Sequence, residues 1–359
     1  MKLYLVTGEP SGDLHAANLV RELKILNNNL TLRAFGGDRL IAEEVDIARN
    51  IKDLSFMGFW SVIKNLGLIK SYLNFCKNDI LNFNPDAIIL VDYPGFNLRI
   101  AQFAKNQGIK VFYYIAPKVW AWNKSRLYKL RKYVDELIVI FPFEVDFFRK
   151  NKINATYVGN PLLDEVNNSD LQFSYKYNKP IIALLPGSRK QEIKLILPQM
   201  MSIVNNFPQY QFIVAGTNLF SRQYYQKFIR KMDVDIVFNE TYGLLANAEA
   251  ALVTSGTATL EAALFNVCQV VCYKTNWITY IVASNLIKIK YLSLVNILAN
   301  KLVVKELIQS DLNKRNLKFE LESILNDKKE IISNYNELKG LLDKKGASRN
   351  AARYIIDSI

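Results

Sequence analysis

The sequence predicts an α/β protein made of two doubly wound domains. In both halves of the chain, short apolar strands alternate with helical segments, which is the pattern of parallel sheets covered by helices. A polar segment, Asn167 to Lys179, separates the two halves, and the length of 359 residues suits two domains of ordinary size. We therefore predict domains at residues 1–165 and 166–335. A C-terminal helical segment, 336–359, is expected to pack on the first domain or on a partner subunit.

The first domain begins with a strand at Lys2 to Thr7, a glycine-containing loop and a helix at Leu14 to Leu26. Further strands are predicted at Leu32 to Phe35, Asp86 to Val91, Val111 to Ile115, Leu137 to Phe141 and Ala155 to Val158. Ligands of open α/β sheets bind at the carboxyl ends of strands, and Asp92 occupies such an end. It is a candidate catalytic carboxylate, although stabilisation of the Pro94-Gly95 turn explains it equally well.

The second domain carries the strongest functional signal of the chain, V-T-S-G-T-A-T-L-E-A-A-L at Val253 to Leu264. An apolar strand ends there in small residues and turns at once into a helix. The free amides of a helix start favour a phosphate or diphosphate. Glu261, one turn later, can accept two hydrogen bonds from ribose hydroxyls. A capping box is the structural alternative, but Ala258 stands where that motif needs Ser or Thr. The small residues are Ser255, Gly256, Thr257 and Ala258.

The remaining strands of this half are predicted at Ile181 to Leu185, Gln211 to Ala215, Asp235 to Phe238, Ala248 to Val253 and Val267 to Tyr273. A turn, Pro186-Gly187-Ser188-Arg189, follows the first of these strands. Asp233-Val234-Asp235 resembles a metal-binding pair of one class of sugar transferase. It precedes a strand rather than following one, so we interpret it as a turn and expect neither a metal nor a cofactor.

The composition limits the classes of binding partner and the cellular compartment that we expect. The net charge of +13 favours an anionic partner, whether nucleic acid, an acidic lipid surface or a phosphorylated substrate, although scattered lysines are often only solvated. Three cysteines beside a single histidine suit neither a disulfide framework nor a zinc site, so we expect a reducing cytoplasm. No stretch reads as a signal peptide or as the ~20 apolar residues of a spanning helix.

Two stretches leave a surface role open. Phe56 to Leu73 is apolar and aromatic with Lys64 and Lys70 interleaved, so it suits either the core or a membrane-facing helix. Trp120 and Trp122 precede a basic helix. Those residues could stack bases and hold phosphates, or bind a phosphosugar or a lipid head group, or form a solvated face.

Two Rossmann-like halves with a phosphate-and-ribose signature and a carboxylate describe a two-domain, metal-independent sugar transferase. The motifs further resemble those of the lipid-A-disaccharide synthase family over nearly the whole chain. The matching stretches are Gly8-Glu9-Pro10-Ser11-Gly12-Asp13, Met57-Gly58, Asp92 to Asn97, Val119-Trp120-Ala121-Trp122, Gly159-Asn160-Pro161-Leu162, Pro186-Gly187-Ser188-Arg189, Ser255 to Glu261 and Ser293-Leu294-Val295-Asn296. Asn160 stands where the family has a histidine, and an amide cannot carry a proton at neutral pH.

The resemblance implies a GT-B-like fold, with the two domains facing a cleft, and an inverting transfer. The donor would be UDP-2,3-diacylglucosamine and the acceptor 2,3-diacylglucosamine 1-phosphate, giving UDP and the lipid A disaccharide 1-phosphate. It further implies a cytoplasmic enzyme on the inner face of the inner membrane of a Gram-negative bacterium, in contact with anionic phospholipid and not with nucleic acid. Family members can exchange C-terminal segments, here Ala347 to Ile359, which would give a homodimer.

Site roles follow from the resemblance and from the chemistry of inversion, which needs a base on the acceptor hydroxyl and positive groups on the departing diphosphate. Asp92 is the expected base and His15 the alternative. Arg189, with the turns at Gly187-Ser188 and Ser255 to Thr257, is expected to stabilise the UDP leaving group. Glu261 would hold the ribose. The other expected substrate contacts are Ala258, Asn296, Ser11 and Asn97, and the expected membrane-facing side chains are Phe56, Met57, Phe59, Trp60 and Ile63.

Two other classes of function compete with this interpretation. Another UDP-sugar enzyme of the same fold, such as a UDP-N-acetylglucosamine epimerase or a peptidoglycan-precursor transferase, would act on different substrates. A nucleic-acid-binding protein would use the basic helix near Trp120 and would bind oligonucleotides with a steep salt dependence. That second class leaves the Ser255 to Glu261 signature without a purpose.

Overall fold

A computed structural model of the chain describes residues 1–53, 66–120, 125–169, 171–229, 232–277, 280 and 290–359. The chain forms two compact units, and the second is inserted into the first. The first unit comprises Met1–Asp164 and Leu342–Ile359, and the second comprises Glu165–Leu341. Within the described residues, none of the helices is long and apolar enough to cross a bilayer.

The first unit is built on a parallel sheet with the strand order β3-β2-β1-β4-β5-β6-β7. Its central strands, such as A-I-I-L-V in β4, are apolar throughout because helices cover both faces of the sheet. The strands are β1 (Lys2–Val6), β2 (Thr31–Gly36), β3 (Asp46–Asn50), β4 (Ala87–Val91), β5 (Lys110–Tyr114), β6 (Glu136–Val139) and β7 (Ala155–Tyr157).

Helices pack on both faces of this sheet. One face buries α3 to α6 against alternate strand residues such as Tyr4 and Leu90, and the other buries α1 and the C-terminal helix against Leu5 and Ile89. The helices that begin within residues 1–164 are α1 (Pro10–Leu26), α2 (Asp38–Ala42), α3 (Leu66–Phe83), α4 (Pro94–Asn106), α5 (Arg126–Tyr133), α6 (Pro142–Lys150) and α7 (Pro161–Asn168), with a 3-10 turn at Ile51–Asp53.

The second unit repeats this architecture with the strand order β10-β9-β8-β11-β12-β13, again parallel. Its strands are β8 (Ile181–Leu185), β9 (Gln211–Gly216), β10 (Val234–Phe238), β11 (Ala248–Thr254), β12 (Gln269–Tyr273) and β13 (Glu306–Ile308). Its helices are α8 (Lys190–Met201), α9 (Arg222–Ile229), α10 (Thr241–Ala246), α11 (Thr257–Leu264), α12 (Leu294–Ala299), α13 (Lys314–Asn326) and α14 (Lys329–Leu341), with a 3-10 turn at Val204–Asn206.

The last helix, α15 (Ala347–Ser358), returns the chain to the first unit and packs along α1. Asp164 fixes its start, because the Asp164 carboxylate accepts the amides of Gly346 (2.8 Å) and Ala347 (2.5 Å). Ala351 and Ile355 are fully buried in the core on that side of the sheet. The sequence-based boundary at residue 335 falls inside α14, whereas the structural division follows the end of that helix.

The first helix begins earlier than the sequence pattern predicts. α1 starts at Pro10, inside the expected loop, because proline fits the first helical position, where no amide donor is needed. Asp13 is buried on this helix, and its carboxylate accepts the amides of Gly37 (2.6 Å) and Arg39 (2.9 Å) at the start of α2. A Cβ on Gly37 would lie only 2.6 Å from that carboxylate. The first glycine motif therefore joins two helices.

Candidate active site

Two loops of the second unit lie side by side at the carboxyl edge of its sheet. β8 pairs with β11, with Leu185 opposite Val253, so the loops that follow these two strands are neighbours. One loop leads into α8 at Lys190 and the other into α11 at Thr257. The first amides of a helix have no acceptor within the helix and carry the positive end of its dipole. This edge of the sheet therefore favours an anion.

The loop between β11 and α11 has the shape that its sequence predicts. β11 ends at Thr254 and α11 begins directly after Gly256. Gly256 and Thr257 are exposed, whereas Ser255 and Ala258 are half-buried. Among the described residues, nothing lies within 4 Å of the position that a Cβ on Gly256 would take. A ligand can therefore approach the backbone at the helix start.

A hydrogen-bond network supports this loop. Ser255 Oγ donates to the carbonyl oxygen of Leu292 at 3.1 Å. The Glu306 carboxylate accepts the amides of Leu292 and Ser293, the Ser293 hydroxyl and the Asn296 side-chain amide, at 2.8–3.1 Å. Glu306 thus holds the Ser293 to Asn296 motif, and through Leu292 it fixes the partner of Ser255.

Asn296, expected to contact the sugar or phosphate, belongs to this support instead. It is fully buried. Its Oδ1 accepts the amides of Val303 (2.8 Å) and Val304 (2.9 Å), and its Nδ2 donates to the Val304 carbonyl and to Glu306, both at 2.8 Å. These four bonds use the full hydrogen-bonding capacity of the amide. We therefore revise its predicted role from substrate contact to support of the loop.

Glu261, the expected ribose ligand, is half-buried on α11. Burial, and to a lesser extent the like charge of Glu165, raise the pKa of Glu261 to about 7. Burial also raises the pKa of Tyr242, and the charges of the same two carboxylates add to that shift, so the three groups lie close together. A carboxylate that must lose its proton to accept two hydroxyls would make ribose binding sensitive to pH near neutrality.

The loop before α8 brings the predicted phosphate-binding groups together. Gly187 has a φ of +102°, and Arg189 directly precedes the helix with an exposed side chain. The amides of Ser188 and Arg189 both donate to Oε2 of Glu192 at 3.2 Å, and Arg189 Nη1 lies 3.6 Å from Oε1 of the same carboxylate. An internal carboxylate therefore already contacts the groups expected to hold a diphosphate.

In the first unit, the candidate base Asp92 follows β4. Asp92 has a φ of 47° and Tyr93 a φ of 49°, both in the left-handed region that residues other than glycine rarely adopt. The Asp92 amide donates to the Tyr114 carbonyl at 3.1 Å, and the Asp92 carbonyl accepts the Tyr113 hydroxyl at 2.6 Å. Strained backbone that is held in place in this way clusters at functional sites.

Asn97, expected to bind substrate, is fully buried and acts on Asp92 instead. Its Nδ2 donates to the carbonyls of Val6 (3.3 Å), Val91 (3.2 Å) and Asp92 (2.8 Å). It thus ties together the carboxyl ends of β1 and β4. We revise its predicted role from substrate contact to positioning of the turn that carries Asp92.

The electrostatic surroundings of Asp92 suit a base. Burial raises the pKa of its carboxyl, whereas the positive charge of Lys118, the Tyr93 amide and His15 oppose that shift. His15, the alternative base, is half-buried on α1 and close enough to interact with Asp92. Ser11 is exposed in the first turn of the same helix. The structure thus brings the two candidate bases near each other.

Trp120 is held by a buried acid that sequence reasoning missed. Its indole Nε1 donates to Oε1 of Glu144 at 3.0 Å, and the other Glu144 oxygen accepts the amides of Ile140 (3.3 Å) and Phe141 (3.1 Å). Burial raises the pKa of Glu144 to about 7. Trp122 and the expected membrane-facing side chains lie outside the described residues; the latter are Phe56, Met57, Phe59, Trp60 and Ile63.

The carboxylates that support these loops were not predicted from the sequence, although two of them follow a recognisable spacing. Glu144 and Glu192 each stand three residues after the residue that caps their helix, a spacing that could have identified them. Glu165 acts on Glu261, far away in the sequence, and Glu306 accepts hydrogen bonds from residues 292–296, beyond the reach of a helix-cap spacing, so no local pattern marks them.

Solved structures share this fold. The UDP-GlcNAc 2-epimerase from Neisseria meningitidis bound to UDP-GlcNAc has a TM-score of 0.67 and 14% identity, with 100% of this chain and 99% of that chain covered. CalG4, the calicheamicin glycosyltransferase, has a TM-score of 0.62 and 13% identity, with 99% and 97% covered. At such identities the likeness shows the fold alone, and it confirms the predicted α/β class with two Rossmann-like units of GT-B type.

Sequence relatives are more specific. Lipid-A-disaccharide synthases from Coxiella burnetii (strain CbuK_Q154) and Syntrophus aciditrophicus (strain SB) are 34% and 36% identical to this chain. They cover 98% and 97% of it, and 96% and 94% of their own lengths are matched. The family model described as lipid-A-disaccharide synthetase matches residues 3–359. This chain therefore belongs to the lipid-A-disaccharide synthase family.

Proposed function

We propose that this chain transfers 2,3-diacylglucosamine from UDP to the 6-hydroxyl of 2,3-diacylglucosamine 1-phosphate, with inversion at the anomeric carbon. Its family makes it a hexosyltransferase of lipid A biosynthesis that uses a UDP-sugar. The observation that carries the residue-level proposal is the pair of adjacent helix starts at the carboxyl edge of the second sheet. They offer backbone amides to an anion, and a carboxylate lies one turn along α11.

The second unit binds the donor in this proposal. Amides at Gly256 to Ala258 approach the diphosphate, and Glu261 accepts the ribose hydroxyls. The Arg189 guanidinium adds a positive charge that follows the leaving group as the glycosidic bond breaks. Charge that develops on the departing UDP is the quantity to be stabilised, and fixed donors aimed at it are effective because they need little reorganisation.

The first unit binds the acceptor in this proposal. Asp92 removes the proton of the 6-hydroxyl as the new bond forms, so the acceptor oxygen gains nucleophilicity. Burial favours this role because a raised pKa makes the carboxylate a stronger base. Asn97 and Tyr113 hold the Asp92 backbone, and the nearby positive charge of Lys118 partly opposes the rise in the pKa of the carboxyl.

The acyl chains of both substrates place the reaction at a lipid surface in this proposal. We propose that the protein acts in the cytoplasm, on the inner face of the inner membrane, where the net charge of +13 meets anionic phospholipid. We also propose that α15 could exchange between two copies. Its contacts with α1 would then be made between subunits, giving a homodimer.

The decisive test is to incubate the pure protein with UDP-2,3-diacylglucosamine and 2,3-diacylglucosamine 1-phosphate in the presence of a chelator and to identify the product by mass. The expected product is the tetraacylated disaccharide 1-phosphate, with one UDP released for each bond formed. Parallel reactions contain UDP-N-acetylglucosamine alone or with an undecaprenyl-linked acceptor. Turnover only in those parallel reactions would favour the epimerase or the peptidoglycan-precursor transferase.

A further inference from the structure

The loop before α8 is built around a carboxylate of its own chain. Glu192 accepts the amides of both Ser188 and Arg189 through one oxygen, at 3.2 Å each, and faces the Arg189 guanidinium with the other. Glycine at position 187 leaves room for this arrangement, because a Cβ there would collide with the Glu192 carboxylate. Three donors at this helix start, the amides of Ser188 and Arg189 and the Arg189 guanidinium, therefore already face Glu192.

The Glu192–Arg189 pair lies near the loop that contains Ser255. The charges of Glu192 and Arg189 both act on Tyr273, whose pKa is raised by burial first and by Glu192 second, and lowered by Arg189. Tyr273 ends β12, which pairs with β11. The Ser255 amide in turn donates to the carbonyl of Cys272, the residue before Tyr273. The Glu192–Arg189 pair and the Ser255 loop thus meet at one edge of the sheet.

We propose that Glu192 is an internal competitor of the UDP diphosphate, a positioning residue that holds the Ser188 and Arg189 donors when no nucleotide is bound and leaves them when UDP binds. The inference rests on the proposed function, because it requires that the UDP diphosphate binds to the Ser188 and Arg189 donors. A diphosphate and a carboxylate need the same donors and repel each other, so one must leave as the other arrives.

The bonds of Glu192 suit an anion that is readily displaced. Backbone N–H···O bonds span about 2.7–3.2 Å, so the two bonds at 3.2 Å lie at the long end of that range. Arg189 is largely exposed and 3.6 Å from Glu192, so water screens that ion pair and it contributes little. Arg189 can therefore exchange Glu192 for a diphosphate. When UDP leaves as the product, Glu192 returns to the donors and assists its release.

The test compares Glu192→Gln with the wild-type protein by titration calorimetry, using UDP, inorganic pyrophosphate and uridine as probes. Glutamine keeps the size of the side chain and loses its charge. UDP and pyrophosphate are expected to bind about tenfold more tightly to the variant, which is roughly the effect of one screened like charge. Uridine carries no phosphate, so its affinity is expected to stay the same. UDP is also expected to inhibit turnover of the variant at lower concentrations.

Glu330→Gln is the matched control, since Glu330 is an exposed acid in the first turn of α14 and carries the same charge. Glu192→Ala, followed by urea unfolding, separates binding from stability. Unchanged or weaker UDP binding to a folded Glu192→Gln protein would show that Glu192 only caps α8, and the inference would fail alone. If the wild-type protein binds neither UDP nor pyrophosphate, the proposed donor site itself fails.

Discussion

Asp92 is the side chain whose replacement tests the proposed chemistry most directly. Asp92→Asn keeps the shape and removes the base, and we expect kcat to fall by about 100-fold or more. The Asn97 and Tyr113 bonds go to the Asp92 backbone, so the fold should persist. Circular dichroism and UDP-sugar affinity, which depends on the other unit, serve as controls. Retained turnover in Asp92→Asn would transfer the role of base to His15.

Glu261 makes a prediction about pH. Its pKa of about 7 means that it is largely protonated below neutrality, and the ribose hydroxyls need the ionised form as acceptor. The affinity for a UDP-sugar should therefore rise with pH through about 7 and become constant only when Glu261 is fully ionised. Calorimetry across this range measures the curve, and a UDP-sugar is chosen because its diphosphate has no titration near neutrality. Glu165→Gln removes the like charge, so the curve should move to lower pH. A flat curve for the wild-type protein would contradict the assignment.

Asn296 is expected to affect stability rather than substrate contact. Asn296→Ala leaves two buried amides, a carbonyl and the Glu306 carboxylate short of partners, so we expect a loss of about 3 kcal/mol in the free energy of unfolding. Urea unfolding measures this loss. Asn326→Ala, at an exposed helix end, should change it by less than about 0.5 kcal/mol. A fully stable Asn296→Ala protein with weakened UDP binding would restore the direct contact.

At the scale of elements, Asp164 controls the docking of α15. It accepts the first amides of that helix, so Asp164→Ala should weaken the docking by about 1–2 kcal/mol. The measurement is limited proteolysis of residues 342–346, which should be cut faster in the variant. Asp357→Ala, at the exposed far end of the same helix, removes the same charge and should leave the cleavage rate unchanged. Equal rates in both variants would show that packing on α1 alone holds α15.

The elements also show what the sequence could predict. β11, the turn and the start of α11 were predictable because an apolar run, small residues and helix formers follow in order. β3 and β13 were missed because they are edge strands, one polar (D-I-A-R-N) and one only three residues long, with little burial to leave a pattern. The Asn167 to Lys179 segment was expected to be a linker. It belongs to the second unit and bonds to other parts of it, where the Ser174 amide donates to Glu240 and the Tyr177 hydroxyl to Asn247.

Side-chain roles were less predictable than elements for a physical reason. Asn97 and Asn296 lie within the motifs that carry the family resemblance, but a motif does not show whether an amide faces a ligand or the core. Both satisfy backbone groups at strand and loop ends. The sequence thus predicted candidate segments, and only the packing showed which of their side chains are buried in support of the loops and which remain accessible.

The whole molecule makes a prediction about lipid surfaces. With a net charge of +13, the protein should bind vesicles that contain anionic phospholipid and dissociate as salt is added. The double variant Phe59→Ser with Trp60→Ser should reduce this retention more than it reduces activity on detergent-dispersed substrates. Co-sedimentation with vesicles of neutral and anionic lipid measures the retention. Equal loss of retention and activity would favour a core role for these two side chains.

The insertion of the second unit into the first has a consequence for biosynthesis. A ribosome makes residues 165–341 before residues 342–359, so the inserted unit has its whole sequence while its host still lacks Ala351 and Ile355. One side of α1 in the first unit therefore stays uncovered until α15 has been synthesised and packs against it. During translation, the second unit should therefore complete its fold before the first unit does.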